Sequence, residues 1–535
     1  MKYDNSKRSI ILPLVIALCI AIGILIGIYL PVRNSDSVSS NIRSKNDKLS
    51  SIVNIIESSY VDSVSLKDLE DAAIPAMLKK LDPHSIYIPA KELIRANEPL
   101  QGNFDGIGIS FNILTDTILV ISTIPGGPSE KVGLMAGDKI IFVNDSLVAG
   151  KGITDEAAMG MLKGPRRTIV RLKILRKGQK ELIPFEITRD KIPVYSVDVA
   201  YMVNDNTGYI KMNNFSMNSF DEFIKALREL KGKGMTKLVL DLRQNAGGVM
   251  DDAIQIANQF LKQDQLIVYT KGRHQPRNDA VANGKGEFET GDLVVLIDEF
   301  SASASEILAG AIQDNDRGTI IGRRSFGKGL VQEPLKFTDG SGMRLTIARY
   351  YTPTGRSIQK PYNKGIDKYN EDIIDRYARG EMEVSDSIHF SDTLKFTTPE
   401  GRTVYGGGGI MPDKFVPADT SGISNYFTKV RNSLIYRFAL KYTETYRETL
   451  KKFTETGELE RYLDKQALLD QFVQYAALNG VRKDPAGLKI SGRIIHTQIK
   501  AYIARNILDN RGFYPIWGEL DTTLKYAIDF LKRQQ

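Results

Sequence analysis

The sequence predicts a multidomain protein of mixed α/β and α+β class, and three patterns predict it. An apolar period of two, the mark of strands, runs from about Phe104 to Ile187. Strands then alternate with helices from Thr207 to Ile321, and beyond Ser424 the pattern is almost wholly helical. At 535 residues the chain exceeds what one ordinary hydrophobic core organises.

Taken in order, the first element is an uncharged run, residues 9–32, whose apolar centre is long enough to cross a hydrocarbon core of ~30 Å. Lys2, Lys7 and Arg8 precede it and no small-x-small cleavage site succeeds it. The expectation is an uncleaved transmembrane anchor, 1–32. Arg33, Arg43, Lys45 and Lys48 leave charge counting undecided, but a short basic tail ahead of an apolar span favours export of the bulk of the chain. Residues 33–95 read as a polar stalk and then a helical region, with Ile52, Ile55, Ile56, Leu69, Ala73, Met77 and Leu78 at helical spacing. Leu81-Asp82-Pro83-His84-Ser85 closes it, because Pro83 stops a helix.

Residues 96–188 hold short strands at 107–111 and 118–121, a turn rich in Gly and Pro, a short helix at 129–134 and a strand at 137–144. A helix at 155–162 and strands at 168–175 and 181–187 complete this unit. Residues 189–423 alternate strand 207–212, helix 219–230, buried strand 237–242, helix 249–260, strand 293–297, helix 304–313 and strand 319–321, an α/β core. Residues 424–535 form a helical region containing the only tryptophan, Trp517.

Composition narrows the function. A net charge of +8 is spread along the chain, and its short clusters, Arg323–Arg324 and Lys451–Lys452, suit a solvated surface rather than a nucleic-acid footprint. Cys19 is the only cysteine and lies in the apolar run, so there is no disulfide framework; Leu18 before it rules out a lipobox. The four histidines, His84, His274, His389 and His496, stand apart, which disfavours both a Ser–His–Asp triad and a metal centre. No motif calls for a cofactor.

Three segments carry chemistry. In Ser301-Ala302-Ser303-Ala304-Ser305-Glu306 a strand ends and an Ala-rich helix begins near Ser303. A hydroxyl there meets free N–H groups and the positive helix end, which favours a developing oxyanion; taken alone, an ordinary N-cap serves as well. In Ser325-Phe326-Gly327-Lys328-Gly329 a lysine between glycines leaves a buried strand. Buried, it would titrate low enough to act as a base toward a serine; exposed, it is a plain surface turn. In Leu240-Asp241-Leu242-Arg243-Gln244-Asn245-Ala246-Gly247-Gly248 paired glycines come after a buried strand and allow close approach of a substrate, or simply turn the chain.

Together these segments closely resemble the C-terminal processing (tail-specific) serine peptidases. The resemblance runs from about Leu49 to Pro417 and adds Leu81–Ser85, the Tyr351-Thr352-Pro353-Thr354-Gly355-Arg356-Ser357-Ile358-Gln359 run and Gly408-Gly409-Ile410-Met411-Pro412-Asp413. It implies Ser303 as nucleophile, Lys328 as general base, Gln332 as the residue orienting the lysine, and an oxyanion hole from Ala304 and either Gly247 or Gly248. It also implies a PDZ domain at 96–188, inserted between the helical region and the peptidase core. There Gly106, Ile107, Gly108 and Ile109 would hold a substrate's terminal carboxylate, beside a helix carrying Met159 and Leu162. The partners expected are protein substrates with apolar C-terminal tails, a membrane through one helix, and a second copy through the helical ends; no nucleic acid is expected. The expected location is the inner membrane with the catalytic domains in the periplasm. The alternative is an inactive PDZ scaffold or assembly factor.

Overall fold

The computed structural model describes residues 48–534, without Thr115 and residues 389–391, and Ala17 alone before them. The expected anchor and stalk, Cys19 and His389 therefore lie outside the described residues. Among the described residues no helix is long and apolar enough to cross a membrane. The chain divides into two units at Met77/Leu78. The first contains the helix Lys48–Ser59 and all but the last residue of the helix Leu66–Leu78, as the spacing of Ile52, Ile55 and Leu69 requires.

The second unit is built on a six-stranded sheet, in the order Val197–Met202, Thr207–Met212, Lys237–Asp241, Asp292–Ile297, Thr319–Gly322, Lys414–Phe415. All neighbours are parallel except the first pair. Strands covered on both faces must be apolar at every position, and Leu238-Val239-Leu240 and Val294-Val295-Leu296 meet that need by pointing alternately to two cores. Leu238, Leu240 and Val295 pack on the helices Ser219–Gly232, Met250–Asn258 and Ala304–Asp314. Val239, Val294, Leu296 and Ile321 pack on Leu524, Ala527 and Leu531 of the last helix, Thr522–Arg533. The loops after four adjacent parallel strands thus leave one edge together, where α/β sheets gather functional groups.

A second sheet flanks the first. Its long strand Gly342–Tyr351 pairs with Ile86–Ile88, Leu266–Lys271 and Leu330–Lys336. A smaller β-domain is inserted ahead of the core. The chain enters it through Asn103–Gly106 and leaves through Asp190–Pro193, which pair antiparallel like a hinge plate. Its sheet runs Ile109–Ile113, Ile118–Thr123, Lys139–Val143, Ile169–Leu175, Ile183–Thr188, and the helix Asp155–Leu162 matches the sequence reading at both ends. The C-terminal helices form their own core around Phe438, Phe472, Ile495 and Ile499.

Candidate active site

Ser303 stands at the turn between the strand Asp292–Ile297 and the helix Ala304–Asp314, with φ 54° and ψ −113°. A residue with a Cβ holds positive φ only where its surroundings enforce it, and such strain is typical of functional turns. The enforcement is visible. The Ser303 N–H donates to Glu306 Oε2 at 2.8 Å, and a Cβ built on Gly247 would lie 2.8 Å from Ser303 Cβ and 2.6 Å from the Ala302 carbonyl oxygen. Only glycine at 247 lets the two turns touch.

Glu306 ties this turn to the lysine loop. Its carboxylate is fully buried and accepts from Ser325 Oγ at 2.6 Å, Gly327 N at 2.7 Å and Lys328 N at 2.9 Å, as well as from Ser303. Burial pushes its pKa up to about 7, against the pull of those four donors. The Tyr350 hydroxyl adds a second tie, 2.5 Å from the Lys328 carbonyl oxygen and 3.1 Å from that of Ser303.

The Lys328 amine donates to Gln332 Oε1 at 3.2 Å. Gln332 is held in turn, its amide nitrogen donating to the His84 carbonyl oxygen. Burial pushes the Lys328 pKa down and Arg344 adds to this, while Glu306 and Asp82 oppose it; the net direction is down. The His84 imidazole, pushed to about 4 by burial and by Lys328, is neutral near pH 7, with Nε2 2.7 Å from the Tyr369 hydroxyl. Among the described residues no hydrogen bond joins Ser303 Oγ to the Lys328 amine.

The glycine loop faces the serine turn. Asn245 is buried and locks it: its Oδ1 accepts from Gly247 N at 2.9 Å, its carbonyl oxygen accepts from Ala302 N at 3.0 Å and Ser305 Oγ at 2.9 Å. Gly248 lies against Phe215, whose oxygen would be 1.9 Å from any Cβ there. The N–H groups of Gly248 and Ala304 donate to no acceptor among the described residues, whereas that of Gly247 is taken.

In the inserted domain, Gly106 ends its strand, Gly108 has φ 74°, and Ile107 and Leu162 are packed in the interior, with Ile109 and Met159 half-buried. Among the described residues the strand Ile109–Ile113 pairs with Ile118–Thr123 and with no other strand, so it forms an edge of its sheet. Sequence reasoning passed over Glu306, Tyr350 and Asn245. The first carried a signal, since Ser303-Ala304-Ser305-Glu306 has the Ser-x-x-Glu spacing of a capping box. Asn245 carried a local one, an Asx turn onto Gly247 two residues on, while its ties to Ala302 and Ser305 and the whole role of Tyr350 depend on loops distant in sequence.

With this geometry in place, similarity to known proteins decides the family. The model of peptidase family S41 matches residues 206–368, the PDZ domain model matches 94–175, and a family of unknown function (DUF8443) matches 426–509. A carboxy-terminal-processing protease of Bartonella bacilliformis is 38% identical over 314 residues, 57% of this chain and 70% of that one. The chain belongs to peptidase family S41. It is a C-terminal processing serine peptidase carrying a PDZ domain. The carboxy-terminal processing protease CtpB of Bacillus subtilis is 34% identical over 326 residues, 60% of this chain and 66% of that one. A solved structure of the photosystem II D1 C-terminal processing protease is similar at 27% identity, over 59% of this chain and 91% of that one, with a TM-score of 0.34. The S41 match contains Ser303, Lys328, Gln332 and both glycines; the C-terminal helices lie outside it.

Proposed function

We propose that this S41 peptidase cuts proteins captured by apolar C-terminal tails, with Ser303 as nucleophile and Lys328 as general base. The observation that carries the reading is the shared carboxylate of Glu306, which binds the backbone N–H of both residues and so keeps serine turn and lysine loop in register. Gln332 takes one N–H of the lysine, leaving the lone pair of the neutral amine for the serine proton. Ser303 Oγ attacks the scissile carbonyl carbon as its proton passes to Lys328. The carbonyl oxygen, now an oxyanion, accepts from the N–H groups of Ala304 and Gly248; Gly247, already bonded to Asn245, serves instead by its lack of a side chain. Collapse expels the amine, which takes the proton from Lys328. Water then attacks the acyl-enzyme with Lys328 as base again. In this reading the Ser303–Lys328 hydrogen bond forms when substrate arrives and the site tightens.

The edge strand Ile109–Ile113 receives the tail as an added strand, with the Gly106-Ile107-Gly108-Ile109 loop on its carboxylate and Met159 and Leu162 on the flanking helix. Residues 1–32 anchor the chain in the inner membrane, and the catalytic domains face the periplasm, where two copies associate through their helical ends.

The test measures cleavage of an unfolded protein with an apolar tail by the full chain, Ser303→Ala and Lys328→Ala from pH 6 to 10. Wild-type kcat/KM rises with pH through the lowered lysine pKa, both variants lose at least about 10³ in rate, and amidating the substrate's C-terminus raises KM. Cleavage persisting in either variant sinks the pair. Carboxylate-dependent binding without cleavage by wild type would favour the scaffold alternative.

A further inference from the structure

Residues beyond Ser424 lie outside the S41 match, yet the last helix reaches the glycine loop of the active site. Asp521 caps that helix, its Oδ1 accepting from Leu524 N at 2.9 Å. The same carboxylate takes Arg243 with both oxygens, Oδ1 from Nη1 at 2.9 Å and Oδ2 from Nη2 at 2.5 Å. A planar guanidinium held at two points is fixed in direction as well as place. Arg243 is also bound to Asp241 at the end of its strand, with Nε 3.0 Å from Oδ1, and Asp241 is held by the Tyr209 hydroxyl at 2.8 Å and by Lys211. Burial drives the Asp241 pKa up, but the charges of Arg243 and Lys211 outweigh it and keep this carboxylate ionised.

From Arg243 the chain turns at once into the loop that carries Gly248. The Arg243 carbonyl oxygen accepts from the Lys211 amine, Gln244 takes φ 62°, and Gln244 bonds Asp298 through both its N–H and its side-chain amide at 2.9 and 2.6 Å. The start of this loop is thus set largely by buried charge, and the C-terminal region supplies Asp521 to it. The docking around it is extensive: the Lys237 amine donates to the Leu531 carbonyl oxygen at 2.7 Å, and Asp198 accepts from Asn510 Nδ2 at 2.6 Å and from the Tyr514 hydroxyl.

We infer that Asp521 is a positioning residue for the oxyanion loop, so that the helical C-terminal region completes the catalytic unit rather than merely extending the chain. The inference rests on the Ser303 and oxyanion reading above. Bidentate carboxylate on Arg243 fixes where the turn begins, and five residues later Gly248 presents its N–H. Loss of the charge at 521 lets the turn drift, and a displacement of this kind lowers transition-state binding without touching the PDZ groove or ground-state substrate contacts.

The test uses the full chain with Asp521→Asn, which keeps helix-capping ability but loses the charge, and Asp521→Glu, which restores it. Readouts are kcat and KM on a tail-bearing unfolded protein, and the affinity of a peptidyl aldehyde, whose serine adduct places an oxygen in the oxyanion site. All are taken at a temperature where circular dichroism shows every variant folded. The expected result is a fall in kcat of about tenfold for Asp521→Asn, KM within twofold, aldehyde affinity falling by the same factor as kcat, and recovery in Asp521→Glu. A wild-type kcat in Asp521→Asn overturns the inference, as does a loss of rate with undiminished aldehyde affinity. Ser303→Ala, run alongside, separates the two readings. If it still cleaves, the catalytic reading falls; if it is dead while Asp521→Asn is fully active, only the role of Asp521 falls.

Discussion

Four donors converge on Glu306, and among the described residues it has no ion-pair partner. A buried carboxylate without a cation is costly, and its neighbours offset that cost with hydrogen bonds alone. Its pKa of about 7, above the ordinary 4.5, means that the folded protein holds the proton more tightly than the unfolded chain. Stability contributed at this site is therefore full below pH 4.5 and declines as pH rises to about 7. Glu306→Gln replaces one oxygen by a donor, leaving two of the four donors without an acceptor. The expected cost is about 1–3 kcal/mol in urea unfolding, a rate loss of tenfold or more, and a flatter dependence of stability on pH between 5 and 7. A variant with the wild-type pH slope would show that the slope arises elsewhere. Ser303, Lys328 and Gln332 were proposed from ordered motifs, and of Glu306, which ties the first two together, the sequence showed only a capping-box spacing, because it spends its carboxylate on backbone atoms in a loop some twenty residues away.

Helices and strands were legible where burial imposed a period. Strand Thr207–Met212 and helix Asp155–Leu162 have the limits expected from sequence, since one is buried on both faces and the other is capped by Thr154. The strand Leu330–Lys336 was missed: its last four residues are exposed, so no alternation marks it, and only pairing with Gly342–Tyr351 makes it a strand. The helix Ile366–Ala378 buries only Tyr369 and Arg376 fully, too little to leave an apolar stripe. The last helix is the opposite case. Leu524, Ala527 and Leu531 announce a face, but nothing in the sequence says that it covers the peptidase sheet. Leu531, 1% exposed, should on replacement by alanine cost about 2–5 kcal/mol in a denaturant titration, with one cooperative transition for core and C-terminal helices together. A separate early transition for the C-terminal helices would mean that this face contributes little to the core.

For the molecule as a whole, the segments that enter and leave the inserted domain pair as one ribbon, Asn103–Gly106 with Asp190–Pro193, and the ion pairs Lys163–Glu98 at 2.5 Å and Arg95–Glu156 tie the end and start of its helix Asp155–Leu162 to the helix Ala90–Gln101. An exposed pair such as Arg95–Glu156 holds weakly. The proposed anchoring is a property of the first 32 residues and is tested there. The full chain should sediment with membranes and resist carbonate extraction, while a chain starting at Arg33 should appear in the soluble fraction. Quantitative release of the full chain by carbonate would remove the anchor from the proposal.

Local pattern in the bare sequence made legible the class of fold, from apolar periods, and the short strands of residues 96–188, whereas the inserted domain and the reaction type came from the resemblance of many ordered motifs to a family, since each motif alone also fitted an ordinary cap or turn. Tertiary packing settled which glycine has a free N–H, which carboxylate links Ser303 to Lys328, and that Asp521 meets Arg243 across 278 residues of chain. Those outcomes depend on which donors and acceptors are paired and which are left over when distant segments meet. That balance exists only after the sheets have closed.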